Sequence, residues 1–187
     1  MDRGPARGWP ARRATPLVKI CGVTTPALAA AAVAAGADMV GIVHFPPSPR
    51  HLAIADARDV ANAARGAMVV ALTVDADDAA LDALVETARP DALQLHGRES
   101  PARIAALAAR YGLPVAKAIG VSIADDLTRI GDYDALPVLD AKPPRGADRP
   151  GGHGARFDWS LLTPLAADTA YMLSGGLGPE NVADAVR

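Results

Sequence analysis

Short apolar runs alternate with helix-length stretches along most of this 187-residue chain, and this alternation limits its fold more narrowly than any other feature. The apolar runs are typical of buried strands. A repeating strand–helix–strand pattern predicts a parallel sheet with right-handed crossovers, covered by helices on its faces. The predicted strands lie at residues 17–21, 39–45, 68–74, 92–96, 114–120, 135–140 and 171–174. The predicted helices lie at residues 26–35, 55–64, 78–89, 101–111, 123–130, 159–165 and 179–187.

Two architectures fit this alternation, a doubly wound sheet and a (β/α)8 TIM barrel. The barrel has eight strands and normally about 200 to 250 residues, whereas this chain supplies seven predicted strands. We expect residues 17–187 to form a single domain. Residues 1–16 contain four arginines, three prolines and two glycines, a composition that predicts a disordered basic extension.

Composition excludes several classes of function. The formal charge of -2 and the pI near 6.0 do not favour nucleic acid or an anionic membrane as a partner. The sequence contains no apolar run of transmembrane length. A single cysteine cannot form an internal disulfide and fits the reducing cytoplasm. Because there is no dinucleotide or phosphate-loop glycine motif and no Cys/His metal spacing, we expect neither a cofactor nor a metal.

Two ionisable residues end predicted strands, where parallel sheets place ligands and chemistry. Cys21 closes the run at residues 17–21, so it either borders a site or is a small buried hydrophobe. Asp140 closes another strand just before the Gly- and Pro-rich segment 143–154. There it can donate a proton under a mobile cover, or it can cap a turn. Asp75 is the rival acid, and position alone does not separate the two.

Three further features indicate ligand contacts. The segment Ser174–Pro179 (SGGLGP) follows a strand, and its glycines can bring backbone N–H groups to a phosphate or form a plain tight turn. Arg50 follows Pro-Pro-Ser-Pro, so its guanidinium either binds a carboxylate or phosphate or lies at the surface. His96 follows a predicted strand, where it can contact a ligand or serve the structure.

Five segments occur in an order that matches a known family. They are Val18–Thr24 (VKICGVT), Gly41–Phe45 (GIVHF) with Ser48–Arg50, Gln94–Gly97 (QLHG), Leu139–Asp140 and Leu173–Leu177 (LSGGL). Together they resemble phosphoribosylanthranilate isomerase over the chain from about Leu17 onward. The resemblance implies an α/β fold, the (β/α)8 TIM barrel, with only seven strands present in this chain and a C-terminally incomplete domain.

The resemblance also implies an activity in tryptophan biosynthesis. N-(5-phosphoribosyl)anthranilate is converted to 1-(2-carboxyphenylamino)-1-deoxyribulose 5-phosphate by an acid–base Amadori rearrangement without a cofactor. By resemblance, Asp140 is the general acid that protonates the furanose ring oxygen, and Cys21 is the general base that removes the C2′ proton. Arg50 is expected to bind the anthranilate carboxylate. The remaining substrate-binding positions are Gln94, His96, Ser174, Gly175 and Gly176, and the segment 143–154 is the expected cover.

Alternative functions remain open at this stage. One is another phosphosugar-binding barrel enzyme in which Cys21 is merely buried, and another is a truncated, non-catalytic barrel. The family pattern has an eighth strand, with half of its phosphate site, beyond the position of Arg187, so we expect unpaired edges on the first and last strands. The expected partner is a small phosphosugar, and the expected state is a monomer or homodimer.

Overall fold

The computed structural model describes residues 8–10, 15–144, 146–147, 149–166 and 168–186. These residues contain one sheet of seven parallel strands, arranged in chain order. The strands are β1 (Lys19–Cys21), β2 (Met39–His44), β3 (Met68–Thr73), β4 (Ala92–Leu95), β5 (Val115–Val121), β6 (Leu136–Ala141) and β7 (Met172–Leu173). The sequence prediction of seven strands is therefore confirmed, with small changes at the strand ends.

Strand order separates the two architectures that the sequence left open. A doubly wound sheet reverses its order at a switch point, whereas each strand here lies beside its neighbour in sequence. The pairing is also staggered, since the first residue of each of the last four strands pairs with the second or third residue of the strand before it. Such a stagger accompanies closure into a barrel. Lys19 on β1 reaches Gln94 on β4, so the sheet curls around its interior and the barrel prediction is confirmed.

The first four connections are regular helices: α1 (Pro26–Ala34), α2 (Ile54–Ala63), α3 (Asp78–Ala88) and α4 (Pro101–Tyr111). Three of them begin after a side chain that accepts an N–H of the first turn, namely Thr25, Asp77 and Ser100. Such caps satisfy backbone donors that the helix leaves unpaired. Gly112 in the left-handed conformation ends α4.

The later connections differ from the regular helices. Ala124–Asp132 and Trp159–Leu162 are 3₁₀ helices, and the last helix, α5, covers only Val182–Ala185. The prediction of a helix from Pro179 is therefore wrong at its start, because Asn181 Oδ1 accepts the Gly178 N–H at 3.0 Å and holds a turn there. Arg187, the last residue of that prediction, lies outside the described residues.

Asp126 fixes the first 3₁₀ helix to the strand before it. Burial opposes ionisation of Asp126, but the Ser122 and Ile123 N–H groups, the Lys142 ammonium and the Ser122 hydroxyl all donate to its carboxylate and lower its pKa to about 2. The carboxylate therefore joins the end of β5 to the residue that follows β6. This link stabilises the fold only while Asp126 is ionised.

The two sides of the sheet and its ends are covered unequally. Among the described strands, β1 pairs only with β2 and β7 only with β6, as expected for an incomplete barrel. The outward-facing Ile20 of β1 is 44% exposed. Near the starts of the strands, Trp9 packs on the two apolar clusters that contain Met39 and Ala116. The prediction of a disordered extension otherwise concerns positions 1–7 and 11–14, which lie outside the described residues.

None of the helices in the described part of the chain has the length and apolar character needed to cross a membrane.

Candidate active site

An open cavity of about 480 Å³ lies at the carboxyl ends of the strands. This is an ordinary volume for a small-molecule site. Its lining includes all the site residues predicted from the sequence, namely Cys21, Arg50, Gln94, His96, Asp140, Ser174, Gly175 and Gly176. Asp75 is not among the lining residues, because its carboxylate turns away and accepts the Arg98 N–H at 2.6 Å. Of these two candidate acids, Asp140 borders the cavity and Asp75 does not.

Cys21 ends β1 with its side chain half-buried at the cavity wall. It pairs in register with Gly41 of β2. A Cβ atom at Gly41 would lie 2.8 Å from Cys21 Sγ and 3.0 Å from Lys19 Nζ. Because both distances are shorter than van der Waals contact, only glycine lets the thiol and the ammonium occupy this space. The two groups are therefore close neighbours at the base of the cavity.

Asp140 lies near the end of β6 and is only 6% exposed. Its Oδ1 accepts the Ala141 N–H at 2.8 Å, and its Oδ2 lies 3.3 Å from His96 Nε2. A Cβ at Gly175 would lie 2.5 Å from Oδ1, and one at Gly151 would lie 3.0 Å from Oδ2. The carboxyl group is therefore enclosed by two backbone segments that approach it closely because they lack side chains.

His96 and Gln94 connect the acid to the other side of the barrel. Gln94 is 2% exposed, and its Nε2 lies 3.2 Å from His96 Nδ1. Its Oε1 accepts a hydrogen bond from Lys19 Nζ at 2.8 Å. Both residues line the cavity, and each makes a hydrogen bond to another side chain of the protein. Lys19 was not among the predicted site residues, although it stands two residues before Cys21, the spacing that puts both on one face of a strand.

Arg50 is presented to the cavity by the loop after β2. Its backbone N–H donates to Ser48 Oγ at 3.1 Å, which bends the loop locally. The guanidinium lies against Gly22, where a Cβ would be 3.1 Å from Nε, and it also contacts Gly152. None of the ion pairs among the described residues uses Arg50. Its planar set of donors can therefore receive a carboxylate or phosphate through two parallel hydrogen bonds.

His51 braces the same loop. Burial and the nearby His44 lower the pKa of His51 below the usual value for histidine. The ring is therefore neutral near pH 7, and its Nδ1 accepts the Phe45 N–H at 3.1 Å. This hydrogen bond ties the two ends of the Arg50 loop together and limits the positions that the guanidinium can take.

The turn after β7 forms one wall of the cavity. The Ser174 N–H donates to Leu139 O at 2.8 Å, and the chain then turns through Gly175 and Gly176 with φ angles of 88° and 61°. These angles are strained for any other residue. Asn181 Nδ2 donates to Gly176 O at 2.8 Å and holds the turn from behind. The helix α5 has only four residues and starts at Val182, three positions beyond Pro179.

The Gly- and Pro-rich segment after β6 covers the cavity. Within its described residues, Gly151 lies over His96 and Asp140, and Gly152 lies over Arg50. The His153 ring lies 2.9 Å from Arg149 O and closes a local turn. Arg145 and Asp148 of the same segment lie outside the described residues. The segment therefore contacts the predicted acid and the predicted carboxylate-binding residue at once.

A buried ion pair supports the loop that follows β4, and sequence reasoning did not find it. Lys117 Nζ lies 2.7 Å from Glu99 Oε2 and 2.5 Å from Gly97 O, with side chains that are 2% and 5% exposed for Lys117 and Glu99. Glu99 also accepts the Asp75 and Gly97 N–H groups. The signal in the sequence was a lone lysine in an otherwise apolar strand. This pair fixes the backbone that directly follows His96.

The chain was compared with known proteins. A family model described as N-(5'-phosphoribosyl)anthranilate (PRA) isomerase matches residues 18–187. The isomerase of Rhodopseudomonas palustris (strain BisA53) is 58% identical over 174 residues, which cover 91% of this chain and 80% of the relative. That of Bradyrhizobium sp. (strain BTAi1 / ATCC BAA-1182) is 56% identical over 176 residues, with the same coverage.

Solved structures of phosphoribosylanthranilate isomerases have the same fold. The Thermotoga maritima structure aligns with a TM-score of 0.80 and 36% identity, covering 91% of this chain and 82% of the other. A structure in complex with reduced 1-(o-carboxyphenylamino)-1-deoxyribulose 5-phosphate aligns with a TM-score of 0.77 and 34% identity, covering 91% and 80%. The matched part of this chain thus spans about four fifths of the length of these relatives.

Proposed function

Because the chain belongs to the phosphoribosylanthranilate isomerase family, we propose that its cavity carries out the isomerisation with Asp140 as general acid and Cys21 as general base. The activity is that of an isomerase of tryptophan biosynthesis. The observation that supports these two roles is that both side chains line one cavity, from β6 and β1, while the rival Asp75 does not line it.

The acid step opens the sugar ring. Asp140 gives its proton to the furanose ring oxygen, and the bond between that oxygen and C1′ breaks. The nitrogen lone pair of the anthranilate forms the second bond to C1′, so a Schiff base results. A carboxyl group in an enclosed site suits this step, because water does not compete for its proton. Asp140 is left as a carboxylate.

The base step completes the rearrangement. The Cys21 thiolate removes the proton from C2′, and the electron pair of that C–H bond forms a C1′–C2′ double bond while the Schiff-base nitrogen is neutralised. The resulting enolamine tautomerises to the ketone. A thiol is suited to this role because it ionises closer to neutral pH than other side-chain nucleophiles except histidine.

Binding groups hold the two ends of the substrate. We assign the anthranilate carboxylate to Arg50, whose guanidinium has no ion-pair partner among the described residues. We assign the phosphate to the backbone N–H groups of Gly175 and Gly176, in the turn that also lines the cavity. Gln94 and His96 complete the floor beneath the sugar. The segment around Gly151 and Gly152 would exclude water once the substrate is bound.

The test is turnover of freshly prepared phosphoribosylanthranilate, followed by the loss of its anthranilate-type fluorescence. We expect Cys21→Ser and Asp140→Asn each to lower kcat about 100- to 10,000-fold, the usual contribution of a general acid or base. Asp75→Asn is the matched control, and it should change kcat less than about tenfold because Asp75 does not line the cavity. A loss below about tenfold in Cys21→Ser or in Asp140→Asn would remove that residue from the mechanism.

The two alternative functions predict other results in the same assay. A different phosphosugar barrel would turn over another phosphosugar and tolerate Cys21→Ser. A non-catalytic barrel would be folded and inactive with every substrate.

We further propose a cytoplasmic location, supported by the single cysteine. A state of monomer or homodimer stays a prediction; one related solved structure concerns monomers generated from a dimeric isomerase of Thermotoga maritima.

A further inference from the structure

Four polar side chains form a polar row along the floor of the cavity, from β1 through β4 to β6, joined by two hydrogen bonds and one close contact. Lys19 Nζ lies 2.8 Å from Gln94 Oε1, Gln94 Nε2 lies 3.2 Å from His96 Nδ1, and His96 Nε2 lies 3.3 Å from Asp140 Oδ2. Gln94 is 2% exposed, and the His96 and Asp140 side chains are each 9% exposed. Because Gln94, His96 and Asp140 are largely buried, their polar atoms depend mainly on neighbouring protein groups for hydrogen bonds.

Lys19 sets the direction of both hydrogen bonds in this polar row. An ammonium group has three N–H donors and no lone pair, so it can only donate. Gln94 must therefore turn its carbonyl oxygen towards Lys19. Rotation of the amide by half a turn would place its NH₂ group against the ammonium, donor against donor. The orientation of the amide thus follows from chemistry and does not depend on distinguishing oxygen from nitrogen by position.

The oriented amide in turn selects one tautomer of His96. The Gln94 NH₂ group faces His96 Nδ1, and an amide NH₂ can only donate. Nδ1 must therefore be the ring nitrogen without a hydrogen. In the neutral ring the hydrogen then lies on Nε2, which faces Asp140 Oδ2. A hydrogen on Nδ1 would instead face the Gln94 NH₂ group, donor against donor.

We propose that Lys19 and Gln94 are positioning residues that hold His96 as the neutral Nε2–H tautomer, so that its N–H is available to Asp140 Oδ2, 3.3 Å away, when that carboxyl group becomes charged. The consequence for catalysis rests on the proposed function, in which Asp140 gives a proton to the ring oxygen. As the proton leaves, negative charge develops on the carboxyl group. The His96 N–H and the Ala141 N–H already face its two oxygens. Donors that are in place before the charge forms stabilise the transition state.

This arrangement separates the role of His96 from that of Asp140. His96 keeps its Nε2 hydrogen and donates it towards the developing carboxylate, while Asp140 transfers the proton. Each carboxyl oxygen has two lone-pair positions, so Asp140 can still carry that proton while it accepts the two N–H groups. The hydrogen bond of Lys19 is made to Gln94, so Lys19 acts on His96 and Asp140 through that amide.

The direct test is the tautomer of His96, measured by ¹⁵N NMR of histidine-labelled protein at about pH 8, where an ordinary imidazole is neutral. The chain has four histidines, and the signals of His96 are identified as those lost in His96→Asn. We expect the hydrogen on Nε2 in the wild-type protein. In Gln94→Glu both side-chain oxygens only accept, so the His96 hydrogen should move to Nδ1. Lys19→Met should give a mixture of tautomers, and Lys19→Arg, which also only donates, should restore Nε2–H.

Kinetics connect the tautomer to the reaction. Gln94→Glu should lower kcat about tenfold or more while KM changes less than about threefold, because the lost donor acts as charge forms in the transition state. Gln94→Glu keeps the size of the side chain and its contact with Lys19, so its folding is expected to survive even if Lys19→Met does not fold. Lys19 also neighbours Cys21, so the Gln94 variant isolates the effect on Asp140.

The outcomes are separable from those of the proposed function. A wild-type His96 with its hydrogen on Nδ1, a doubly protonated ring at about pH 8, or an unchanged tautomer in Gln94→Glu would each overturn the inference. A tautomer change without a change in kcat would overturn its catalytic part. Because the NMR measurement needs no turnover, full activity of Cys21→Ser and Asp140→Asn would instead refute the proposed function.

Discussion

Replacement of Lys117 by methionine should reduce the free energy of unfolding by about 3 to 5 kcal/mol, the usual cost of removing one partner of a buried ion pair. The ammonium lies 2.7 Å from Glu99 Oε2, 2.5 Å from Gly97 O and 3.4 Å from Leu95 O. Methionine fills a similar volume without donors, so all three acceptors lose a partner at once. Glu99, with its side chain 5% exposed, would be left in the core without its cation.

Glu99→Gln tests the same pair from the other side. The amide keeps the size of the side chain and can still accept from Lys117 through its oxygen, but it removes the negative charge. Glu99 accepts the Asp75 N–H at 3.0 Å and a Gly97 N–H at 3.0 Å through its two oxygens, and an amide offers only one oxygen. We therefore expect a loss of about 2 to 4 kcal/mol, somewhat less than for Lys117→Met.

Urea unfolding of both single variants and of the double variant measures the coupling between the two residues. The double variant should lose clearly less than the sum of the single losses, with a coupling energy of about 2 kcal/mol, because the second substitution removes a group that the first had left unpaired. The slope of free energy against urea concentration should stay constant. A loss below about 1 kcal/mol in Lys117→Met, or simple additivity, would refute the view that this pair supports the loop after β4.

Three further predictions follow. Gly41→Ala should lower kcat about tenfold or more, because its Cβ would lie 2.8 Å from Cys21 Sγ. Gly131→Ala is the control and should leave turnover unchanged, because nothing lies within 4 Å of its Cβ. A normal rate for Gly41→Ala would contradict the tight packing around Cys21. Gly151→Ala should also reduce kcat, since its Cβ would lie 2.5 Å from His96 Nε2, and the same fluorescence assay measures the loss. Asp126 has a lowered pKa of about 2 against 3.8, so its contribution to stability is present above about pH 4 and is lost as the pH falls towards 2. The difference in unfolding free energy between wild type and Asp126→Asn, about 1 to 2 kcal/mol at pH 7, should vanish near pH 2, and a constant difference would exclude the carboxylate as its source.

The outline of the site was predictable because it depends on where strands end. Cys21 and Asp140 each follow an apolar run, and parallel strands bring their carboxyl ends to one edge, so two residues 119 positions apart in sequence could be placed in one cavity. The choice between Asp140 and Asp75 was not predictable in the same way. Both follow apolar runs, and only the direction of the Asp75 carboxylate towards the Arg98 N–H separates them.

Charged residues inside strands were harder to interpret. Lys19 and Lys117 interrupt apolar runs, and a pattern of hydrophobicity gives no sign of which partner a buried lysine has. Lys19 reaches Gln94 across the barrel and Lys117 reaches Glu99 in the loop after β4. These partners lie on elements that are distant in sequence. Their pairing becomes visible only when the stagger of the sheet is known.

The position of Lys19 links the chemistry of the site to the closure of the sheet. The strand β1 has three residues and, among the described strands, pairs only with β2. The hydrogen bond from Lys19 to Gln94 therefore joins an edge strand to β4, on the far side of the cavity. The strand that it holds also carries Cys21. One ammonium group thus both holds the strand of the proposed base, Cys21, and sets the His96 tautomer that supports the proposed acid, Asp140. A further strand that paired with β1 would fix Cys21 more firmly, but it would not replace the bond from Lys19 to Gln94.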